Sequence, residues 1–134
     1  MDLNGVCNTN PKHAIGKFGE MVAENLMINK RYKIITKNWK NGHLEIDIIA
    51  KNKKEIVFVE VKTRSSIIYG LPVEKVEDAQ KQNLIIAANA FIKKNHIQLI
   101  PRFDIVGITV NPNNMQILDI TKNWKKLSLL DVKV

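Results

Sequence analysis

The 134-residue sequence predicts a mixed α/β domain in the order helix, three strands, helix, two strands, or α-β-β-β-α-β-β. Three observations predict it: apolar residues recur at helical spacing in two separate stretches, two runs with a period of two flank a short polar connection, and Gly, Pro and Asn clusters punctuate the chain between elements.

Residues 1–12 read as a loose, flexible arm. From His13 to about Asn29, Ile15, Phe18, Val22 and Leu26 recur at helical spacing while Lys17, Glu20 and Glu24 lie elsewhere on the cylinder, which defines a first amphipathic helix. Gly16 and Gly19 inside it each cost about 1 kcal/mol relative to alanine, so something approaches closely there. A neighbouring strand is the expected partner, with a phosphate backbone as the alternative. Tyr32 to Trp39 alternates loosely as an opening strand. In Leu44–Ala50, strict alternation sends Leu44, Ile46 and Ile48 one way and Glu45 and Asp47 the other. In Glu55–Lys62, Val57, Val59 and Val61 form one row, and Ile56, Phe58, Glu60 and Lys62 the opposite row. Lys51-Asn52-Lys53-Lys54 joins the two strands as a hairpin. Ser65 to Leu71 is a loop containing Tyr69-Gly70-Leu71-Pro72. A second helix runs from about Glu77 to Lys94 with Leu84, Ala87, Ala88 and Phe91 facing inward. Pro101 introduces a strand from Arg102 to Val110, Asn111-Pro112-Asn113-Asn114 turns the chain, and Met115 to Ile120 forms the last strand. The sequence thus predicts one domain over 13–121 followed by a basic C-terminal segment, 122–134.

The chain length leaves no room for two full cores. A formal net charge of +8 favours a polyanionic partner such as nucleic acid or an anionic surface. The single cysteine, Cys7, permits no internal disulfide and fits a reducing compartment. No apolar run approaches the ~20 residues that cross a bilayer, and Met1-Asp2-Leu3-Asn4-Gly5 lacks the basic start and apolar core of a secretion signal. A cytoplasmic protein with no membrane partner is the expectation.

Asp47 and the Glu60-Val61-Lys62 triplet carry the chemistry. Adjacent strands bring Glu45, Asp47, Glu60 and Lys62 to one face, where Phe58 and Ile49 imply burial lower down. Acids at the rim of a buried surface need partners. One lysine against three carboxylates leaves an excess of negative charge that a divalent cation would relieve.

Gly16-x-x-Gly19-Glu20, Asn38-Trp39, Glu45-Ile46-Asp47-Ile48-Ile49-Ala50, Val57 through Arg64, Gly70-x-Pro72 and Arg102 through Val106 resemble the successive blocks of the YraN family, small bacterial proteins regarded as endonucleases within the P-D-(D/E)-x-K superfamily. The likeness spans Gly16 to about Asp119. It implies a restriction-endonuclease-like core, a central mixed β-sheet flanked by helices, with Asp47 and Glu60 as metal ligands and Lys62 as the catalytic lysine. Holliday-junction resolvases are the nearest functional analogy. Three positions depart from the pattern: Ile46 replaces the superfamily's nominal proline, Leu44 stands where glycine is usual, and Gln80 takes the place of a frequent helix lysine.

The resulting expectation is a metal-dependent endonuclease acting on DNA, with branched or damaged DNA as candidate substrates. Mg²⁺ or Mn²⁺ would be held by Asp47, Glu60 and the Val61 carbonyl, since hard oxygen donors suit those ions. Lys62 serves as an electrostatic stabiliser of the phosphorane rather than as a base. The resemblance also implies that Glu20 binds a second metal or orients water, and that Gln80, at the start of the second helix beside Lys81, reaches the site; a solvated helix face is the plain alternative for each. Glu45 is read either as part of the site or as an ion-pair partner. Arg64, Lys40 and His43 are the expected nucleic-acid contacts. Arg102-Phe103-Asp104 reads as an ion pair and core anchor, and Trp39 and Trp124 as packing residues. Lys122, Lys125 and Lys126 read as a solvated face. The competing class is a nucleic-acid-binding or assembly module that keeps the fold without catalysis. Junction cutting would favour a symmetric homodimer, because two matched incisions need two active sites.

Overall fold

A computed structural model describes residues 11–66 and 78–126. The elements are α1 (Pro11–Asn29), β1 (Lys33–Asn41), β2 (Leu44–Lys51), β3 (Glu55–Ser65), α2 (Asp78–Lys94), β4 (Ile100–Asn111) and β5 (Gln116–Lys126), in the expected order. Residues 1–10 of the expected arm with Cys7, most of the Ser65–Leu71 loop with Pro72, Glu77, and residues 127–134 lie outside the described residues, as do the side chains of Lys122, Trp124, Lys125 and Lys126, while Pro11 and Lys12 already belong to α1.

The strands form one five-stranded sheet in the order β1-β2-β3-β4-β5. Short turns make β1, β2 and β3 an antiparallel meander, whereas β3 and β4 run parallel, a pairing that needs a crossover and receives it from α2. β5 returns antiparallel along β4. The result is the mixed sheet of a restriction-endonuclease-like α/β core.

Each helix covers one face of the sheet. Ala23 and Met27 of α1 are buried with Ile48, Ala50, Val57, Val59, Val106, Ile108 and Val110. Leu84, Ala87, Ala88 and Phe91 of α2 are buried with Ile46, Ile49, Ile56, Phe58 and Phe103 on the other face. The two rows of β3 therefore divide as alternation requires, and α2 faces inward through the four residues its pattern named. Trp39 is a packing residue, meeting Phe91 edge-on at 5.2 Å between ring centroids.

α1 is rotated relative to its apolar pattern. Its innermost stripe is Gly19, Ala23 and Met27, with Phe18, Val22 and Leu26 half-buried alongside. Small residues win the centre because the helix lies close to β3: a Cβ on Gly19 would overlap the Thr63 side chain. The strand is thus the close neighbour of Gly19, while Gly16 has nothing within 4 Å of its Cβ position.

β5 continues from the expected end at Ile120 to Lys126, so the backbone of 122–126 belongs to the sheet rather than to a separate tail. β4 starts at Ile100 and offers partners that far, down to Arg102 opposite Lys126, and ladder pairing tolerates the Lys and Asn residues that break the apolar pattern. No helix among the described residues is long and apolar enough to cross a membrane.

Candidate active site at a strand fork

The β2–β3 ladder runs from Lys51 opposite Ile56 to Ile48 opposite Val59 and stops there, whereas β3 continues to Ser65 supported by β4. Asp47 is the first β2 residue past the last pair. Its Oδ2 accepts a hydrogen bond from the Val61 N–H at 2.8 Å, so the carboxylate serves the amide that β2 backbone no longer serves. That bond fixes Asp47 against the segment carrying Glu60 and Lys62.

The strict alternation expected of β2 fails at this point. Ile46 packs with α2 but Ile48 packs with α1. β1 switches faces at the same rung: Trp39 meets Phe91 of α2, while the Lys37 ammonium pairs with Glu24 of α1 at 3.0 Å. Between them Asn38 sits at φ 52°, a left-handed conformation that Asn tolerates better than most residues. The paired twist at Asn38 and Asp47 opens the fork.

Two acid groups occupy it. Glu60 and Lys62, two apart on β3, approach to 3.7 Å. Burial, then the proximity of Asp47, pushes the Glu60 carboxyl up to about 7 against the pull of Lys62. Burial likewise raises Asp47 to about 6; the Val61 hydrogen bond and Lys62 oppose the shift, and Glu20 and Glu45 add to it. Beside this pair, the Asn38 amide, oriented to satisfy both neighbours, donates to Glu20 Oε1 at 2.9 Å and Glu45 Oε1 at 3.1 Å. Burial, followed by Glu45, raises Glu20 above its ordinary value, with Lys17, Lys37 and His13 acting the other way. Glu24, one turn along, is neutralised by Lys37 and is set apart from Glu20 by that pairing.

Among the described residues, no three His, Cys, Asp or Glu side chains are grouped to hold one ion. Asp47 and Glu60 stand as a pair, with Glu20 gathered to Glu45 through Asn38 rather than into a common ligand set. Two half-buried carboxylates, both raised by burial and Glu60 also by Asp47, next to a lysine, fit a hard divalent cation that keeps several waters. The Val61 carbonyl belongs to the same strand segment.

The remaining expected residues are spread around this centre. Lys40 is exposed on β1 opposite Glu45, and His43 is exposed in the two-residue turn with Gly42 that joins β1 to β2. Arg64 is half-buried on β3 beside Thr109, beyond Lys62. Gln80 and Lys81 are exposed in the first turns of α2. Asn38 was legible only as part of a motif; its signal was an Asn, a poor strand former, inside a strand. Thr63, which receives Gly19 and so sets the seat of α1 and Glu20, gave no signal beyond the two glycines.

The fold and fork together define a restriction-endonuclease-like α/β protein with an acid pair and a lysine where two strands diverge. Residues 19–108 match the model of the uncharacterised protein family UPF0102, the YraN family, and the chain belongs to that family. A UPF0102 protein of Caldanaerobacter subterraneus subsp. tengcongensis is 43% identical over 105 residues, covering 78% of this chain and 86% of the relative. One of Clostridioides difficile is 45% identical over 94 residues, covering 69% and 82%. One of Flavobacterium psychrophilum is 43% identical over 94 residues, covering 70% and 79%.

Proposed function

We propose that this protein is a metal-dependent nuclease that hydrolyses phosphodiester bonds in DNA. The observation that carries the reading is the Asp47–Glu60 pair, half-buried at the fork with carboxyls raised to about 6 and about 7 although Lys62 and, for Asp47, the Val61 N–H oppose the rise. Such a pair is poorly stabilised by the protein alone, which is the condition of a site built to receive positive charge. Asp47, Glu60 and the Val61 carbonyl would hold Mg²⁺ or Mn²⁺, which when bound supplies acidification of water and charge stabilisation at the phosphate. Val61 N–H holds Asp47 in place by its hydrogen bond. Lys62, 3.7 Å from Glu60, presents a positive charge toward the charge that builds on the phosphate. Glu20, fixed by Asn38 at the edge of the pair, is suited to orient a water. Arg64, Lys40 and His43 would contact phosphates and position the substrate without reading sequence.

The test is cleavage of labelled single-stranded, duplex, flap and four-way-junction DNA in Mn²⁺ and Mg²⁺, with Glu60→Ala and Lys62→Ala beside the unaltered protein. Cutting that both substitutions abolish is expected, and the favoured substrate identifies the structure recognised. Binding to the panel without cutting under any condition would overturn the catalytic reading in favour of a nucleic-acid-binding module.

A further inference from the structure

At the other end of β2, Arg31, Lys33, Lys51, Asn52, Lys53 and Leu99 line an open groove of about 490 Å³. Four of the six are cations and none is an acid. Lys51 lies four residues from Asp47, roughly 13 Å along the strand at ~3.3 Å per residue, so the groove is separate from the fork. Glu55, the acid nearest in sequence, is turned to Arg102 at 3.1 Å. The side-chain Oδ1 of Asn52 accepts from the Lys54 and Glu55 N–H groups, leaving the cations as the groove's recognition groups.

Three of these residues oppose local stability. Lys33 and Lys51 are direct cross-strand partners, an arrangement in which like charges repel. Arg31 ends α1 at φ 68°, with Arg31 N–H donating to the Ile28 carbonyl and Tyr32 N–H to the Met27 carbonyl. Glycine is the usual occupant of that left-handed position. α2 closes the same way on His96, a residue type that visits this conformation more readily than Arg. Departures from local preference that converge on one concavity mark a functional surface.

We infer that this groove is a second anion site that anchors a nucleic-acid phosphate backbone away from the cutting centre. Its open shape and multiple cations match a chain of phosphates, and the net charge of +8 draws such a partner in.

The substitutions that test it leave the fold at least as stable. Arg31→Gly relieves the left-handed strain, and Lys51→Glu turns a repulsive pair into an attractive one. Binding of a short labelled duplex is followed by fluorescence anisotropy across a salt series in EDTA, so that absence of cleavage has no bearing on the outcome. Each substitution is expected to weaken binding and lower the log–log salt slope by about 1 for each phosphate that is no longer neutralised, with an unchanged or raised Tm. The control, Lys93→Gln with Lys94→Gln, removes two exposed charges outside the groove. Slopes and affinities equal to the control's overturn the inference. So does a rise in Tm of the unaltered protein with inorganic phosphate while the duplex slopes stay unchanged, since the groove would then be a site for a compact anion.

Discussion

At the Glu55 end of β3, the Arg102 guanidinium donates to both oxygens of Asp104 at 3.0 Å, to Glu55 at 3.1 Å and to the Tyr32 hydroxyl at 2.6 Å, and it lies 5.0 Å from the Tyr32 ring centroid. At the Glu60 end, Asp47 and Glu60 share one lysine 3.7 Å from Glu60, with Glu20 and Glu45 adding negative charge. Both clusters are recessed, and β3 contributes an acid to each, Glu55 to the first and Glu60 to the second. In the first, burial works against the charged guanidinium, but Asp104 and Tyr32 more than offset it and hold Arg102 above its ordinary pKa. In the second, burial dominates and the carboxyls rise. The first is an ion network that closes on itself, whereas the second leaves its acids in excess of the one lysine beside them.

The largest effect should come from breaking the closed network. Arg102→Ala leaves Asp104, whose side chain is fully buried, without its bidentate partner and is expected to cost about 3–5 kcal/mol in urea denaturation. Arg102→Met combined with Asp104→Leu should recover much of that, because removing both charges removes the penalty. A loss below about 1 kcal/mol in the single variant, the range of an exposed pair, would mean that the two ends of β3 do not differ as described.

The open cluster should respond to metal instead. Mg²⁺ or Mn²⁺ at one hundred times its dissociation constant would stabilise the fold by ~2.7 kcal/mol, read as a rise in Tm, and Asp47→Asn should remove most of it. An equal shift in that variant would place the ion elsewhere.

Without metal, the same cluster predicts an unusual pH dependence. Asp47 and Glu60 titrate near 6 and 7 when folded and near 3.8 and 4.5 otherwise, so between those limits the native state binds more protons than the unfolded one. Stability should therefore be greatest below about pH 4 as far as these groups are concerned, and fall as pH rises through about 6 and 7. Glu60→Gln removes the charge and should stabilise the metal-free protein at about pH 8 by on the order of 2 kcal/mol, with the difference vanishing at about pH 4. A Glu60→Gln variant that is less stable than the parent at the higher pH would show that Glu60 is satisfied by the protein itself.

The order of elements, the two rows of β3 and the inward face of α2 were legible because period and turn chemistry are local. The pairing of Arg102 with Asp104 was legible for the same reason, since residues two apart in a strand share a face. What escaped depends on tertiary contacts. The centre of α1 moved to Gly19, Ala23 and Met27 because Thr63 requires a small neighbour, and no helical pattern states how near the next strand lies. β2 broke its alternation at Asp47 because the ladder to β3 ends there, and the position of that end is set by both strands and by β4. The acids were identified by residue type and spacing, while the Asn38 bridge needed a φ of 52° that nothing in the sequence announces.

That bridge gives the smallest effect and the finest probe of the contrast. Asn38→Ala loses both donors to Glu20 and Glu45 and forces a Cβ residue with no local hydrogen bonding into the left-handed region, while Asn38→Gly loses only the donors. The difference between the two isolates the backbone term. The donor term, about 1 kcal/mol, should depend on pH in Asn38→Gly: above the raised Glu20 pKa two carboxylates face one another unbridged, and below it protonation of Glu20 relieves the repulsion and supplies a new donor. The loss should thus be larger at about pH 8 than at about pH 4 in chemical denaturation. A loss independent of pH would mean that Asn38 serves the backbone turn alone, and that Glu20 is held at the fork by the seat of α1 on Thr63 rather than by the amide.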